Sequence, residues 1–247
     1  SGLSQEGKGQ DKASQIILQG EAQAMVPDLT PIFTQYEKLR ALVDQAFATV
    51  GQKHPDCMAC HVGCSDCCHA LFDVSLVEAM YINRAFRQKF DYGPERSALL
   101  ERASKIDRQL AKVKKNLFSE YKQSRDAENI LHEAAEMRMP CPLLDENNKC
   151  LLYEARPITC RAYGVPTSIA GQGHVCGLAG FNQGGQYPTL KLDSIQAALN
   201  DMSIAIEKAV HSRFDKLHEV LMPVSMALLT SFDDTFLGIG PAKRERD

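Results

Sequence analysis

Apolar positions recur at three- and four-residue steps over most of the chain, the spacing of helices that bury one face. Tyr36, Leu39, Val43, Phe47 and Val50 form one such stripe. Thr30-Pro31 in front of it offers an N-cap and a proline for the first turn, and Gly51 is the expected stop. Ser75-Leu76-Val77-Glu78 spells a capping box and opens a helix through Tyr81 to about Phe90. Gly93-Pro94 breaks the chain. A long helix follows, with Leu99, Ala103, Ile106, Leu110, Val113 and Leu117 alternating steps of four and three, a seam suited to an antiparallel helix hairpin. More helix is expected to about Met137. Near the end, Leu192, Ile195, Leu199, Met202, Ile206 and Ala209 make one stripe. Phe214, Leu217, Leu221, Val224 and Leu228 make another, as one helix kinked at Pro223.

Two segments lack this periodicity. Residues 51–73 form one loop, and residues 139–188, punctuated by Pro and Gly, form a second. The second is too long to be an idle connection in a compact domain. There is no βαβ alternation, no strong strand pattern and no internal repeat. The expected fold class is therefore all-α, an irregular helical bundle with two cysteine-rich metal-binding loops. Residues 1–26 are polar and read as a flexible tail, residues 27–240 as a single helical metal-binding domain, and residues 241–247 as a short C-terminal tail.

Composition narrows the function by exclusion. With 247 residues and 44% hydrophobic content, the chain can bury a core without metal or disulfides. A net charge of −3 and the lack of Trp argue against nucleic-acid binding. No apolar run approaches the roughly 20 residues of a membrane span, so no membrane is expected. No basic stretch followed by an apolar run marks a secretory leader, so a cytoplasmic setting is expected.

The nine cysteines change the picture. Cys57, Cys60, Cys64, Cys67 and Cys68 fall within twelve residues, and Cys141, Cys150, Cys160 and Cys176 follow in the second loop. Clustering at short spacings is the habit of metal ligands, whereas disulfide frameworks spread cysteines along small secreted chains. Cys57/Cys60 and Cys64/Cys67 are C-x-x-C units, which turn two thiolates onto one ion or one cluster edge. Adjacent Cys67 and Cys68 point apart, so one of them can serve a second site or stay free. Asp145-Glu146-Asn147-Asn148 has turn chemistry and would bring Cys141 and Cys150 together. Pro157 suits the first turn of a short helix presenting Cys160. Arg156 and Arg161 flank that cysteine as cofactor-binding candidates: cations there lower a thiol pKa and offset thiolate charge, although ordinary ion pairs would also use them. His61, His69 and His174 adjoin cysteines and read as solvated or supporting residues rather than ligands. Asp66 reads as a turn residue. Cys60, Cys64 and Cys67 have the spacing of radical S-adenosylmethionine enzymes, but no β/α barrel pattern accompanies them.

Taken together, Cys64-Ser65-Asp66-Cys67-Cys68, the helix start from Phe72 to Ala79, Cys141-Pro142-Leu143-Leu144, the run from Cys150 through Tyr153, Pro157 and Cys160-Arg161, and the late Cys176 resemble the YkgJ-type cysteine-cluster family. That family opens on C-x-x-C-x-x-C-C; here three residues separate Cys60 from Cys64. The resemblance spans roughly residues 57–190 and implies zinc or iron chelation. It points to an iron–sulfur cluster, one or two and of 4Fe-4S type, ahead of zinc, with all nine cysteines as candidate ligands in an unassigned pairing. The implied role is redox or cofactor handling, with a redox partner protein. A structural zinc module is one alternative. A methyltransferase-like enzyme is another, because the flagellin lysine methylase is similar in its cysteine pattern, although no glycine-rich nucleotide loop supports it here.

Overall fold

The computed structural model describes residues 27–182 and 184–240; the tails expected at 1–26 and 241–247 lie outside them. The first helix, α1 (Thr30–Lys53), buries Phe33, Tyr36, Val43 and Val50. It starts one residue earlier than expected, with Leu29 as N-cap and Asp28 Oδ1 accepting the Thr30 N–H at 2.9 Å. It also runs through Gly51, because one glycine weakens a helix without ending it.

Strand β1 (Val74–Ser75) leads into α2 (Leu76–Lys89), capped by the Ser75/Glu78 box. Helix α2 buries Leu76, Val77, Glu78, Ala79, Met80, Ile82, Asn83 and Phe86, an almost all-round burial that marks a central helix. One side packs Leu76, Val77 and Met80 with Tyr36 and Val43 of α1 and with Leu199 and Ile206. The other packs Ala79, Ile82 and Phe86 with Leu99, Ala103, Ala227 and Leu228. The long helix α3 (Pro94–Ser124) and α4 (Ala127–Glu136) follow as the periodicity predicts. Along α3, Leu99, Ala103, Ile106 and Leu110 are buried, while Val113 and Leu117 are only partly so.

Helix α5 (Ile158–Ala162) lies in the second cysteine loop. Strands β2 (Thr167–Ile169), β3 (Gln172–His174) and β4 (Leu190–Lys191) come next, then α6 (Leu192–Ala209). The expected helix through Phe214–Leu228 is instead broken into a 3-10 turn, strand β5 (Leu221–Met222) and the short helix α7 (Val224–Leu229). Pro223 explains the break: it has no N–H to give a helix and pushes Met222 into extended backbone, where β5 pairs antiparallel with β1. Helix α8 (Asp234–Leu237) ends the described chain.

The fold is thus mostly helical but not purely all-α. Besides β1–β5 there is a three-stranded sheet in the order β3-β2-β4. Its hairpin turns at Ala170 and Gly171, both with positive φ, the backbone of a two-residue I′ turn. Both Asp193 carboxylate oxygens accept the Ala170 N–H. Strands of two or three residues leave no alternation in a sequence, so the helical periodicity concealed them. No helix among the described residues is long and apolar enough to cross a membrane.

Candidate metal centre

The first cysteine loop leaves α1 through a 3-10 turn at Pro55–Cys57, bends at Gly63, and re-forms a 3-10 turn at Asp66–Cys68. The second is organised by the turn expected at Asp145. Its Oδ1 accepts the N–H groups of Asn147 and Lys149 at 2.8 and 2.7 Å, and Leu144 and Cys150 form an antiparallel bridge. Pro157 caps α5, which carries Cys160. Glu78 reaches across from α2 and accepts the Ile158 N–H, so the interior of the bundle sets the start of the Cys160 helix.

Backbone hydrogen bonds join the two loops. The Cys141 N–H donates to the Cys68 carbonyl at 2.6 Å and the Met139 N–H to the His69 carbonyl at 2.9 Å. Farther out, the Gly180 N–H donates to the Cys57 carbonyl at 2.9 Å. Seven cysteines, Cys60, Cys64, Cys67, Cys68, Cys150, Cys160 and Cys176, line one open cavity of about 730 Å3. Five, Cys67, Cys68, Cys141, Cys150 and Cys160, line a second, mostly apolar cavity of about 210 Å3. Four sulfur-bearing residues are therefore common to both. Cys57 lines neither; it packs beside Val50, Val165 and Phe181. All nine cysteines are free thiols.

Cys67 is the hub. Hydrogen bonds from the Cys160 and Cys68 thiols, with the Arg156 charge beyond them, pull its pKa far below the usual thiol value. Cys160 and Cys68 move the other way, because each gives its proton to Cys67 and is buried. Burial pushes Cys141 up to about 12 and Cys60 up to about 11, the latter helped by the nearby Cys64 and Cys176 sulfurs. Among the described residues, no three His, Cys, Asp or Glu side chains stand as a ready cage for a single ion.

The two expected arginines do different things. Arg156 lines both cavities and lies 3.7 Å over the Tyr153 ring, with its charge facing the thiols. Arg161 is 6% exposed and structural: it pairs with Asp44 at 2.6 Å and donates to the carbonyls of Arg156 and Glu154. Of the histidines, His61 lines the larger cavity beside the cysteines. Nδ1 of His61 meets the Val62 carbonyl, Nδ1 of His69 meets the Ser65 carbonyl, and His174 sits exposed in β3.

Three further residues surround the thiols without a sequence signal that singles them out. Asp66 Oδ2 accepts the Tyr163 hydroxyl at 2.9 Å and the Cys176 thiol at 3.4 Å, so Asp66 does more than turn the chain. Gly164 has φ +102°, and the Cys60 sulfur occupies the place where its Cβ would be. On α3, Arg102 extends its charge to Cys141, yet its Nε and Nη2 are buried and unpartnered among the described residues. Buried guanidinium donors without a partner, beside a thiol, fit a group of negative charge.

With this geometry in view, comparison with known proteins is informative on one point. A family model, CxxCxxCC, described as "Putative zinc- or iron-chelating domain", matches residues 56–177. That span contains all nine cysteines and most of both loops. No curated protein and no solved structure matched the chain. The thiols gathered at these cavities and the family description agree on metal binding: residues 56–177 match the model of the CxxCxxCC family.

Proposed function

We propose that the thiol cluster holds an iron–sulfur centre and that the protein works in electron transfer or cofactor handling. The observation that carries this reading is the group Cys67, Cys68, Cys150 and Cys160, drawn from both loops and shared by both cavities. Cys141, Cys60, Cys64 and Cys176 stand around it as the further candidates. Eight thiols at one pair of cavities match the ligand count of one or two four-cysteine clusters, a count four-thiolate zinc sites share, so the preference for iron and sulfide rests on the resemblance in cysteine pattern.

A bound iron–sulfur cluster supplies one-electron transfer. The chain supplies the rest. The interlocked loop backbones hold the two sets of cysteines side by side. Arg156 and Arg102 offset thiolate charge, and the open cavity gives a redox partner protein access to the centre. Unpaired thiols in this number suit a reducing compartment such as the cytoplasm.

Protein purified without oxygen and analysed for iron, zinc and acid-labile sulfide, together with its visible spectrum, tests the proposal. Iron and sulfide in matching amounts, with broad visible absorption that bleaches on reduction, are expected. Stoichiometric zinc in a colourless protein, without sulfide, would replace it with a structural zinc module.

A further inference from the structure

The cysteine wall has another face. The cavity of about 210 Å3 is lined by Phe72, Ile82, Ile106, Leu110, Leu143 and Val224, among others, and reaches the sulfurs of the wall from an apolar interior. Lys114 meets both Asp73 carboxylate oxygens at 2.7 Å, and the Ser225 hydroxyl donates to Asp107 at 3.0 Å. Arg156 lies at the cysteine end, over the Tyr153 ring. Most of what remains facing the space is carbon and sulfur.

The long stripe on α3 explains how the space arises. Its first part, Leu99 and Ala103, packs against the cluster that contains Ala227 and Leu228 of α7. Helix α7 has only six residues, far fewer than the 31 of α3. Ile106, Leu110, Val113 and Leu117 continue the stripe, yet among the described residues they join none of the packed clusters and line the cavity instead. Among the described residues, the far half of this apolar seam therefore faces the cavity rather than a packed cluster. Protein interiors keep few voids larger than a water molecule. An enclosed apolar cavity of roughly 150 Å3 takes up benzene or xenon, and this one, open at its outer end where Val113 and Leu117 are only partly buried, presents a similar apolar lining.

We infer that this cavity is a binding site for a small uncharged apolar molecule, one or two rings in size, which lies against the sulfur wall. The inference does not depend on which metal the thiols hold.

The test uses the full chain, with its metal content measured in the same samples. Benzene and indole are titrated against the melting temperature, with benzoate as a charged probe of similar shape. A rise of about 3–6 °C at ten times the dissociation constant, growing with the logarithm of concentration beyond it, is expected for benzene or indole. A smaller rise is expected for benzoate, whose carboxylate must shed its water in the apolar part of the cavity and has a cation only at the cysteine end, in Arg156. Val113→Phe should fill the space and abolish the response; Leu117→Phe does the same from the outer turn if the first variant does not fold. Xenon uptake by the unaltered protein, followed by 129Xe NMR, gives a readout that needs no variant. Failure of benzene, indole and xenon to bind the folded protein would overturn the inference, as would an undiminished response in a folded filled variant. A protein that binds benzene but holds no iron or sulfide would keep this site and lose only the cluster assignment.

Discussion

Glu78 and Ile158, eighty residues apart, share a buried hydrogen bond: Glu78 Oε1 accepts the Ile158 backbone N–H at 2.9 Å. The other carboxylate oxygen closes the capping box with Ser75, and the Tyr36 hydroxyl approaches Oε1 at 3.5 Å. One side chain therefore starts α2, touches α1 and holds the first turn of the helix that carries Cys160. Glu78→Ala should destabilise the fold by about 3 kcal/mol, because it strands buried donors on two helices. Glu78→Gln keeps an acceptor for Ile158 and should cost about 1 kcal/mol. Urea unfolding measures both, and equal losses for the two variants would contradict the assignment.

The same carboxylate gives stability a pH signature. Burial raises its pKa above the ordinary Glu value, and the hydrogen bonds from Ile158, Ser75 and Tyr36 only partly oppose that. The folded state thus binds this proton more tightly than the unfolded chain does. The resulting stabilisation is fully present below the unfolded value of about 4.3 and is lost as pH rises through the folded value. Relative to Glu78→Gln, the unaltered protein should gain stability as pH falls from neutral towards 4, as measured by urea midpoints across a pH series. A constant difference would show that the carboxyl titrates normally.

Gly164 tests how closely the second loop is fitted to the first. Its φ of +102° disfavours any side chain, and an added methyl would meet the Cys60 sulfur. Gly171 also has positive φ, but nothing lies within 4 Å of its would-be Cβ. Gly171→Ala should therefore cost about 1 kcal/mol, from backbone strain alone. Gly164→Ala should cost about 2 kcal/mol or more and displace Cys60 as well. Calorimetric unfolding of the pair separates the two contributions.

Arg156 and Arg161 should behave differently when replaced. Arg161→Met removes a buried cation from Asp44 and from two carbonyls, so a loss of about 2–3 kcal/mol in unfolding free energy is expected. Arg156→Met should change stability by less than about 1 kcal/mol. It should also make the midpoint potential of the reconstituted centre more negative, since a cation that favours the reduced state is gone. Protein-film voltammetry reads that shift.

Cys67→Ser and Cys57→Ser form the most direct comparison at the centre. Cys67 accepts hydrogen bonds from two thiols and lines both cavities, whereas Cys57 packs among Val50, Val165 and Phe181. Metal content after anaerobic purification should fall sharply in Cys67→Ser and stay near the unaltered level in Cys57→Ser. Equal losses would return Cys57 to the ligand set.

Several features were determined by local residue order alone. The stripes of α1, α2, α3 and α6, the Ser75/Glu78 box, the Asp145 turn and the Pro157 start of α5 all depend on neighbours within a few positions, which is why periodicity and capping chemistry predicted them. The metal-binding character was local too, because C-x-x-C spacing acts over one turn of chain. The three-dimensional fold decided everything that joins distant positions. It brought Cys160 to Cys67, packed Cys57 beside Val50, Val165 and Phe181, turned Arg161 to Asp44 while leaving Arg156 at the thiols, and placed Gly164 under the Cys60 sulfur. It also paired strands too short to leave a pattern and split the last expected helix at Pro223, where Met222 found β1. Short-range backbone preferences are written residue by residue, whereas the choice among nine similar thiols rests on which loops the packed helices bring together.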